Sequence, residues 1–141
     1  MSYRSDVRII VSKKGYKHLE QYVNDYLKKK GCNIDEYNLL NNCTLKEHSD
    51  KGSYIGWNCI KWYDQSNYPE IDSIMEGLTD LKEKGYSFRY AKIGESYDDY
   101  EEEYYTNEND LEEDLEFPSL CREFEDDCVI DYMRNKDNIE I

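Results

Sequence analysis

The chain has 141 residues, 38% of them hydrophobic and 35% charged, and its formal net charge is −14. A chain of this length fits one domain that can bury a hydrophobic core. Direct binding to nucleic acid is disfavoured because a strongly acidic chain repels phosphate, and no segment approaches the about 18 apolar residues of a membrane span.

Residues 1–12 contain neither the apolar stretch nor the small-residue cleavage site of a secretory signal. We therefore expect the protein to stay in the cytoplasm of the cell that makes it. Its five cysteines, at positions 32, 43, 59, 121 and 128, form no CxxC pair and have no histidine at a zinc-ligand spacing. They are predicted to be free thiols of a reducing compartment, without a metal or a cofactor.

The charge is distributed unevenly along the chain. Residues 1–94 carry 15 Lys or Arg and 13 Asp or Glu, whereas residues 95–141 carry 3 and 19, so the two parts have net charges of +2 and −16. Such asymmetry indicates either a solvated tail or a surface for an electropositive partner. We interpret residues 1–94 as the body of the domain and residues 95–141 as an acidic C-terminal extension packed on the same domain.

The body begins with a predicted strand, in which Val7, Ile9 and Val11 alternate with polar residues. A helix is predicted over residues 14–30, because its apolar residues recur at helical spacing, and Gly31 is placed to end it. A polar connector follows, and then a second strand is predicted over residues 39–48.

The rest of the body alternates in the same way. A turn over residues 49–52 leads into a third strand over residues 54–63, rich in aromatic and β-branched side chains. Pro69 is placed to open a second helix that Gly85 ends, and residues 86–93 predict a fourth strand. The order β-α-β-β-α-β predicts an α+β, ferredoxin-like fold, with both helices on one face of an antiparallel sheet.

The acidic extension has no clean hydrophobic period. Residues 96–116 carry repelling like charges, yet tyrosines and leucines interrupt them, so we expect an ordered acidic loop or short hairpin laid against the body. Residues 120–134 favour a helix after Pro118 and Ser119, with an added strand over residues 120–125 as the alternative.

Catalysis is not indicated by any motif. His18 and His48 have no neighbouring nucleophile pattern and are expected at the surface, and the chain contains no P-loop or GxGxxG. The carboxylates near position 100 lack an EF-hand pattern, which leaves only weak cation binding open. The protein is therefore predicted not to be an enzyme.

Carboxylates held at the density of DNA phosphates can occupy a groove that normally grips nucleic acid, and interleaved tyrosines can stack on arginine. This chemistry predicts a partner-binding surface that mimics DNA, although a merely solubilising acidic stretch explains the charge as well. The candidate binding residues are Tyr97, Asp98, Asp99, Tyr100, Glu101, Glu102, Glu103, Tyr104, Tyr105, Glu112, Glu113 and Asp114.

Three segments, SYRSDVRI, IKWYD and RYAKIGESYDDYEE, resemble a group of small phage-encoded proteins that open with GYRSDV and carry KWY and R-x-IGE-x-x-DD-x-EE. The resemblance covers residues 2–103, with Ser2 where the group has glycine. That group has no assigned activity, so it supplies no catalytic residues. It implies a phage origin, in which a small acidic protein is similar in character to anti-CRISPR and other anti-defence inhibitors.

The leading hypothesis is therefore a non-enzymatic, phage-encoded inhibitor that binds a basic, nucleic-acid-binding groove of a host protein, such as a component of a defence complex. The alternative is a small-ligand or nucleotide-binding sponge. Its site would use cationic and aromatic residues near the strand ends of the body: Arg4, Arg8, Lys61, Trp62, Tyr63, Arg89 and Lys92.

Overall fold

The computed structural model describes residues 4–62, 68–94, 100–105 and 126–134, with only the backbone described at positions 126–128 and 131. These residues form one antiparallel sheet of five strands with helices packed on it, which confirms the α+β prediction. The strands are β1 (Ser5–Val11), β2 (Leu45–Ser49), β3 (Gly52–Ile60), β4 (Phe88–Ile93) and β5 (Tyr100–Tyr105), in the spatial order β2-β3-β1-β4-β5. The helices are α1 (Lys13–Lys29), α2 (Ile34–Tyr37), α3 (Pro69–Lys84) and α4 (Asp126–Arg134), with a 3-10 turn over Leu39–Asn41.

β1 lies at the centre of the sheet, between β3 and β4. Its central position follows from its composition, because Ile9, Ile10 and Val11 are consecutive and therefore present apolar side chains to both faces. All three are fully buried. The strand predicted from this alternation is confirmed. Ile10, which interrupts the alternation, gives the strand an apolar side chain on its second face as well.

α1 begins at a capped end and stops at a glycine. The Ser12 side chain accepts a hydrogen bond from the Gly15 backbone N–H, and Gly31 has a left-handed φ of 74° just past the helix. α3 begins with Pro69 and ends at Gly85, whose φ is 87°. Both helices predicted from periodicity are thus confirmed, with the stops expected from their sequences.

α1 and α3 pack on one face of the sheet and enclose the main core. From the helices this core takes Leu19, Val23, Leu27, Ile71, Ile74, Leu78 and Leu81, and from the sheet Val7, Ile9, Val11, Ile55, Trp57, Phe88 and Tyr90. The two helices approach closely at Gly77, where an added Cβ would lie 2.6 Å from Leu19 Cδ1. A side chain at position 77 would therefore require the end of the Leu19 side chain to move.

α4 packs on the opposite face of the sheet, over β2 and β3. Val129 and Met133 from α4 form a second, smaller cluster with Ile10 and Tyr54 of the sheet. A helix within residues 120–134 was the favoured prediction, and Asp126–Arg134 is one. The alternative strand over residues 120–125 lies outside the described residues.

Three strands differ from their predicted bounds, and β4 differs least, since it starts at Phe88 and not at residue 86. The second was predicted over residues 39–48, but Leu39–Asn41 is a 3-10 turn and β2 starts only at Leu45. Asn38 accounts for this difference, because its side chain accepts a hydrogen bond from the Leu40 N–H and starts the turn. The predicted polar connector likewise contains α2, capped by Asn33.

The third strand was predicted to reach residue 63, but β3 ends at Ile60. A bulge interrupts its pairing with β1: Ser5 pairs with Ile60 and Val7 with Trp57. At the bulge Cys59 has a φ of 54°, and its backbone N–H donates to Asp6 Oδ1 at 2.9 Å. The strand therefore turns away before Trp62, which is buried in the main core outside any strand.

Candidate functional site: the acidic strand β5

β5 has the sequence YEEEYY and pairs antiparallel with β4, from Tyr100 opposite Ile93 to Tyr105 opposite Phe88. A strand suits three consecutive glutamates because successive side chains point to opposite faces of a sheet. Glu102 is thereby separated from Glu101 and Glu103. Residues 100–105 therefore form a strand of the main sheet, whereas the rest of the acidic loop or short hairpin predicted over residues 96–116 lies outside the described residues.

α4 partly covers one face of the sheet. This face carries Tyr100, Glu102 and Tyr104 of β5. The two tyrosines are 61% and 63% exposed, which is unusual for large aromatic side chains in the described residues. The guanidinium of Arg89 on β4 lies 5.4 Å from the centre of the Tyr104 ring. This face thus already holds one arginine against a tyrosine, in a cation–π contact.

The face covered by α1 and α3 carries Glu101, Glu103 and Tyr105. The Tyr90 hydroxyl donates a hydrogen bond of 2.9 Å to Glu101 Oε1, and Lys92 Nζ lies 3.7 Å from the same oxygen. Tyr105 packs against the main core. Glu101 and Tyr105 therefore fix the strand to the body.

Glu102 and Glu103 differ from Glu101 in their surroundings. All three glutamates are exposed, but within the described residues neither the Glu102 nor the Glu103 side chain makes a hydrogen bond or an ion pair. Their carboxylates are held on a defined backbone but not neutralised by the body. They are consequently the acids of this strand that are available to an outside cation.

Six of the twelve predicted binding residues lie together in β5: Tyr100, Glu101, Glu102, Glu103, Tyr104 and Tyr105. The other six, Tyr97, Asp98, Asp99, Glu112, Glu113 and Asp114, lie outside the described residues. The sequence interpretation missed that Tyr90 would anchor Glu101. The alternation of YSFRYAKI and of the following YEEEYY was the signal, because antiparallel pairing of the two strands places Glu101 diagonally across from Tyr90 on the same face.

Of the residues predicted for nucleotide binding, Tyr63 lies outside the described residues, and Arg8, Trp62 and Lys92 do not form one cluster. Arg8 is only 2% exposed and donates to the backbone oxygens of Val7 and Trp57. Trp62 lies in the main core against Trp57. Since Arg8 pairs with Ala91, and Val7 with Lys92, the side chains of Arg8 and Lys92 point to opposite faces of the sheet.

Both histidines have polar neighbours. His18 Nε2 lies 2.6 Å from Asp80 Oδ2, and Lys84 Nζ lies 2.8 Å from Asp80 Oδ1, which links α1 to α3. His18 is half-buried, with 28% of its side chain exposed, so it lies only partly at the surface where it was expected. His48 is exposed, as expected, with Nδ1 2.6 Å from Ser53 Oγ.

Metal ligands do not converge in the part of the chain that is described: no three His, Cys, Asp or Glu side chains there are placed to hold an ion. A bilayer-spanning helix is also lacking over the same residues, since none is both long and apolar enough. No family model matches the chain, and no match was found among curated proteins or solved structures. The resemblance to phage-encoded proteins stays a prediction.

Proposed function

We propose that this protein acts without catalysis, by binding a basic, nucleic-acid-binding groove of another protein through its acidic extension. The observation that carries the proposal is the position of Glu102 and Glu103, two exposed carboxylates on a strand of the central sheet. Carboxylates fixed in this way bind a basic surface without the ordering entropy that a flexible tail would lose. Arg–carboxylate pairing and counterion release would supply the affinity.

The exposed tyrosines support the same function. Tyr100 and Tyr104 stand on either side of Glu102 on one face, and tyrosine is enriched among the residues that dominate binding energy at interfaces. A strand that served only solubility would gain nothing from large exposed rings. A phage-encoded inhibitor of a host defence protein, of anti-CRISPR or similar type, is the specific form that we propose.

The arrangement of the body is part of this proposal. We propose that β1–β4 with α1 and α3 form a ferredoxin-like unit to which β5 is added beside β4 and on which the acidic extension packs. The spatial order β2-β3-β1-β4 and the antiparallel pairing support it. In this arrangement β5 extends the sheet away from β2.

The test is affinity capture from a bacterial host lysate with tagged wild-type protein, a Glu102→Lys/Glu103→Lys variant and a control. The control, Glu20→Lys/Glu83→Lys, changes the net charge equally at two exposed positions on α1 and α3. We expect one nucleic-acid-binding protein to be captured by wild type and control but lost from the β5 variant. Duplex DNA and high salt should release it.

The proposal is overturned by either of two results. One is equal capture of the same protein by the β5 variant and the wild type. The other is a captured protein that duplex DNA does not displace, because mimicry requires competition for the same groove.

A further inference from the structure

We propose that the partner contributes an extended, basic segment that adds as a sixth strand to the outer edge of β5, an inference that rests on the proposed function. Within the described residues no strand pairs with β5 on the side away from β4. The outward backbone N–H and C=O groups of an edge strand form a ready template for another chain.

The inner edge of β5 shows which neighbours its side chains accept. Across the β4–β5 pair, Tyr104 lies opposite Arg89 and Glu101 lies opposite Lys92. Each of these pairs is in contact, as a cation–π contact and as an ion pair. β4 is thus a strand with basic residues opposite both a tyrosine and a glutamate of β5.

The outer edge of β5 presents the same types of side chain, tyrosine and glutamate. Here the glutamates Glu102 and Glu103 make no ion pair with the described residues of the body. Tyr100 has an exposed ring on the Tyr104 face, and Glu102 and Glu103 point to opposite faces. A strand added there would bring one of its residues next to each β5 side chain, on alternating faces. A segment with Arg or Lys at several of these positions would pair with Glu102 on one face and Glu103 on the other.

A second copy of this chain does not fit the edge. Pairing β5 with itself would bring the glutamates of one copy opposite those of the other, and like charges directly opposite one another destabilise a strand pair. The glutamates therefore select against self-association, as charges on natural edge strands do. They favour an occupant of opposite charge, which is why we assign the edge to a basic segment.

The test uses synthetic peptides with the full-length protein. The probe is a peptide with the length of β5 that carries arginine at consecutive positions, so that both faces of the added strand present guanidinium groups. Its matched control has the same sequence with N-methyl groups on alternate residues. N-methylation keeps the charge but removes the backbone donors that strand addition needs. We expect the control to bind at least about tenfold more weakly, and the unmodified peptide to slow amide exchange within residues 100–105.

Side-chain variants test the aromatic contact separately. Tyr100→Ala should weaken the unmodified peptide severalfold, whereas Tyr100→Phe should retain its affinity, because the ring and not the hydroxyl faces the guanidinium. Glu102→Lys/Glu103→Lys should abolish binding. Equal effects of Ala and Phe at position 100 would remove the cation–π contact from the proposal.

Equal binding of the two peptides overturns strand addition, as does the absence of binding by the unmodified peptide. Protection of residues 100–105 that rises with protein concentration without peptide would assign the edge to a second copy, and would also overturn it. These results leave the proposed function standing if the host protein is still lost from the Glu102→Lys/Glu103→Lys variant. Equal capture by that variant refutes the function itself.

Discussion

Arg134 on α4 meets Glu47 on β2 at two points: its Nε and Nη2 each lie 3.2 Å from a different carboxylate oxygen. The arginine side chain is largely exposed, so this pair contributes at most about 1 kcal/mol. Beside it, Met133 and Val129 are buried against the sheet. Apolar burial and not the ion pair should therefore hold α4 in place.

Met133→Ala is accordingly expected to lower the free energy of unfolding by about 2–5 kcal/mol, the usual cost of truncating a buried methionine. Arg134→Ala should lower it by about 1 kcal/mol or less. Urea denaturation followed by circular dichroism measures both. Equal losses in the two variants would mean that the Glu47 ion pair fixes the helix.

Gly77→Ala should destabilise the protein by about 1–2 kcal/mol, although alanine is the better helix former by about 1 kcal/mol. The cause is Leu19, whose Cδ1 would lie 2.6 Å from the new Cβ within a fully buried contact of α1 with α3. In a Leu19→Ala background the same substitution should become stabilising. A double-mutant cycle by urea denaturation measures this change of sign, and additive effects would contradict it.

Asp80 makes the stability depend on acid pH. The hydrogen bond from Lys84 holds the pKa of its carboxyl below the usual range, and His18 adds to the effect. Since the pKa is depressed in the folded state, the carboxylate stabilises the protein above its unfolded-state pKa of about 3.9, and this contribution disappears as the pH falls through the folded-state pKa.

Asp80→Asn should therefore be less stable than the wild type at pH 7, with a difference that shrinks as the pH falls below about 4. Urea denaturation from pH 7 downwards gives the two curves. Glu83→Gln, an exposed neutralisation on the same helix, serves as the control and should show no such convergence. A constant difference for Asp80→Asn at all pH values would exclude the ion pair as its origin.

The glutamates of β5 should differ in their structural roles. Glu101→Lys removes the acceptor of the Tyr90 hydroxyl bond and places a cation beside Lys92, so we expect a loss of about 1–3 kcal/mol. Glu102→Lys and Glu103→Lys should each change stability by no more than about 0.5 kcal/mol. Thermal and urea unfolding of the three single variants checks this. A large loss for Glu102→Lys would show that the body holds this carboxylate.

The thiols should differ in reactivity. Burial raises the pKa of the Cys43 thiol to about 11, whereas Cys59 is exposed at the β3 bulge. Because the thiolate is the reactive form, iodoacetamide at pH 8 should label Cys59 well before Cys43. Peptide mass spectrometry over time measures the order, and full labelling in urea is the control. Labelling of Cys43 first would contradict its burial.

Much of the fold was readable from local pattern. The apolar spacing of α1 and α3, the stops at Gly31 and Gly85 and the opening Pro69 all act within a few residues, so the sequence predicts them directly. β2 was misjudged because Asn38 starts a 3-10 turn by a side-chain hydrogen bond, and an apolar run alone does not reveal this competition.

The sequence by itself determined that a neutral body would be followed by dense acids and tyrosines. Only the tertiary structure decided how the acids are used, because pairing with β4 places Glu101 beside Tyr90 and Lys92, whereas Glu102 and Glu103 have no hydrogen-bond or ion-pair partner among the described residues. The three glutamates are identical neighbours in the sequence, but they differ in their partners because β4 pairs alongside them. The physical reason is that the register of the strand pair and the face of the sheet decide which side chains meet, and composition alone does not specify that register.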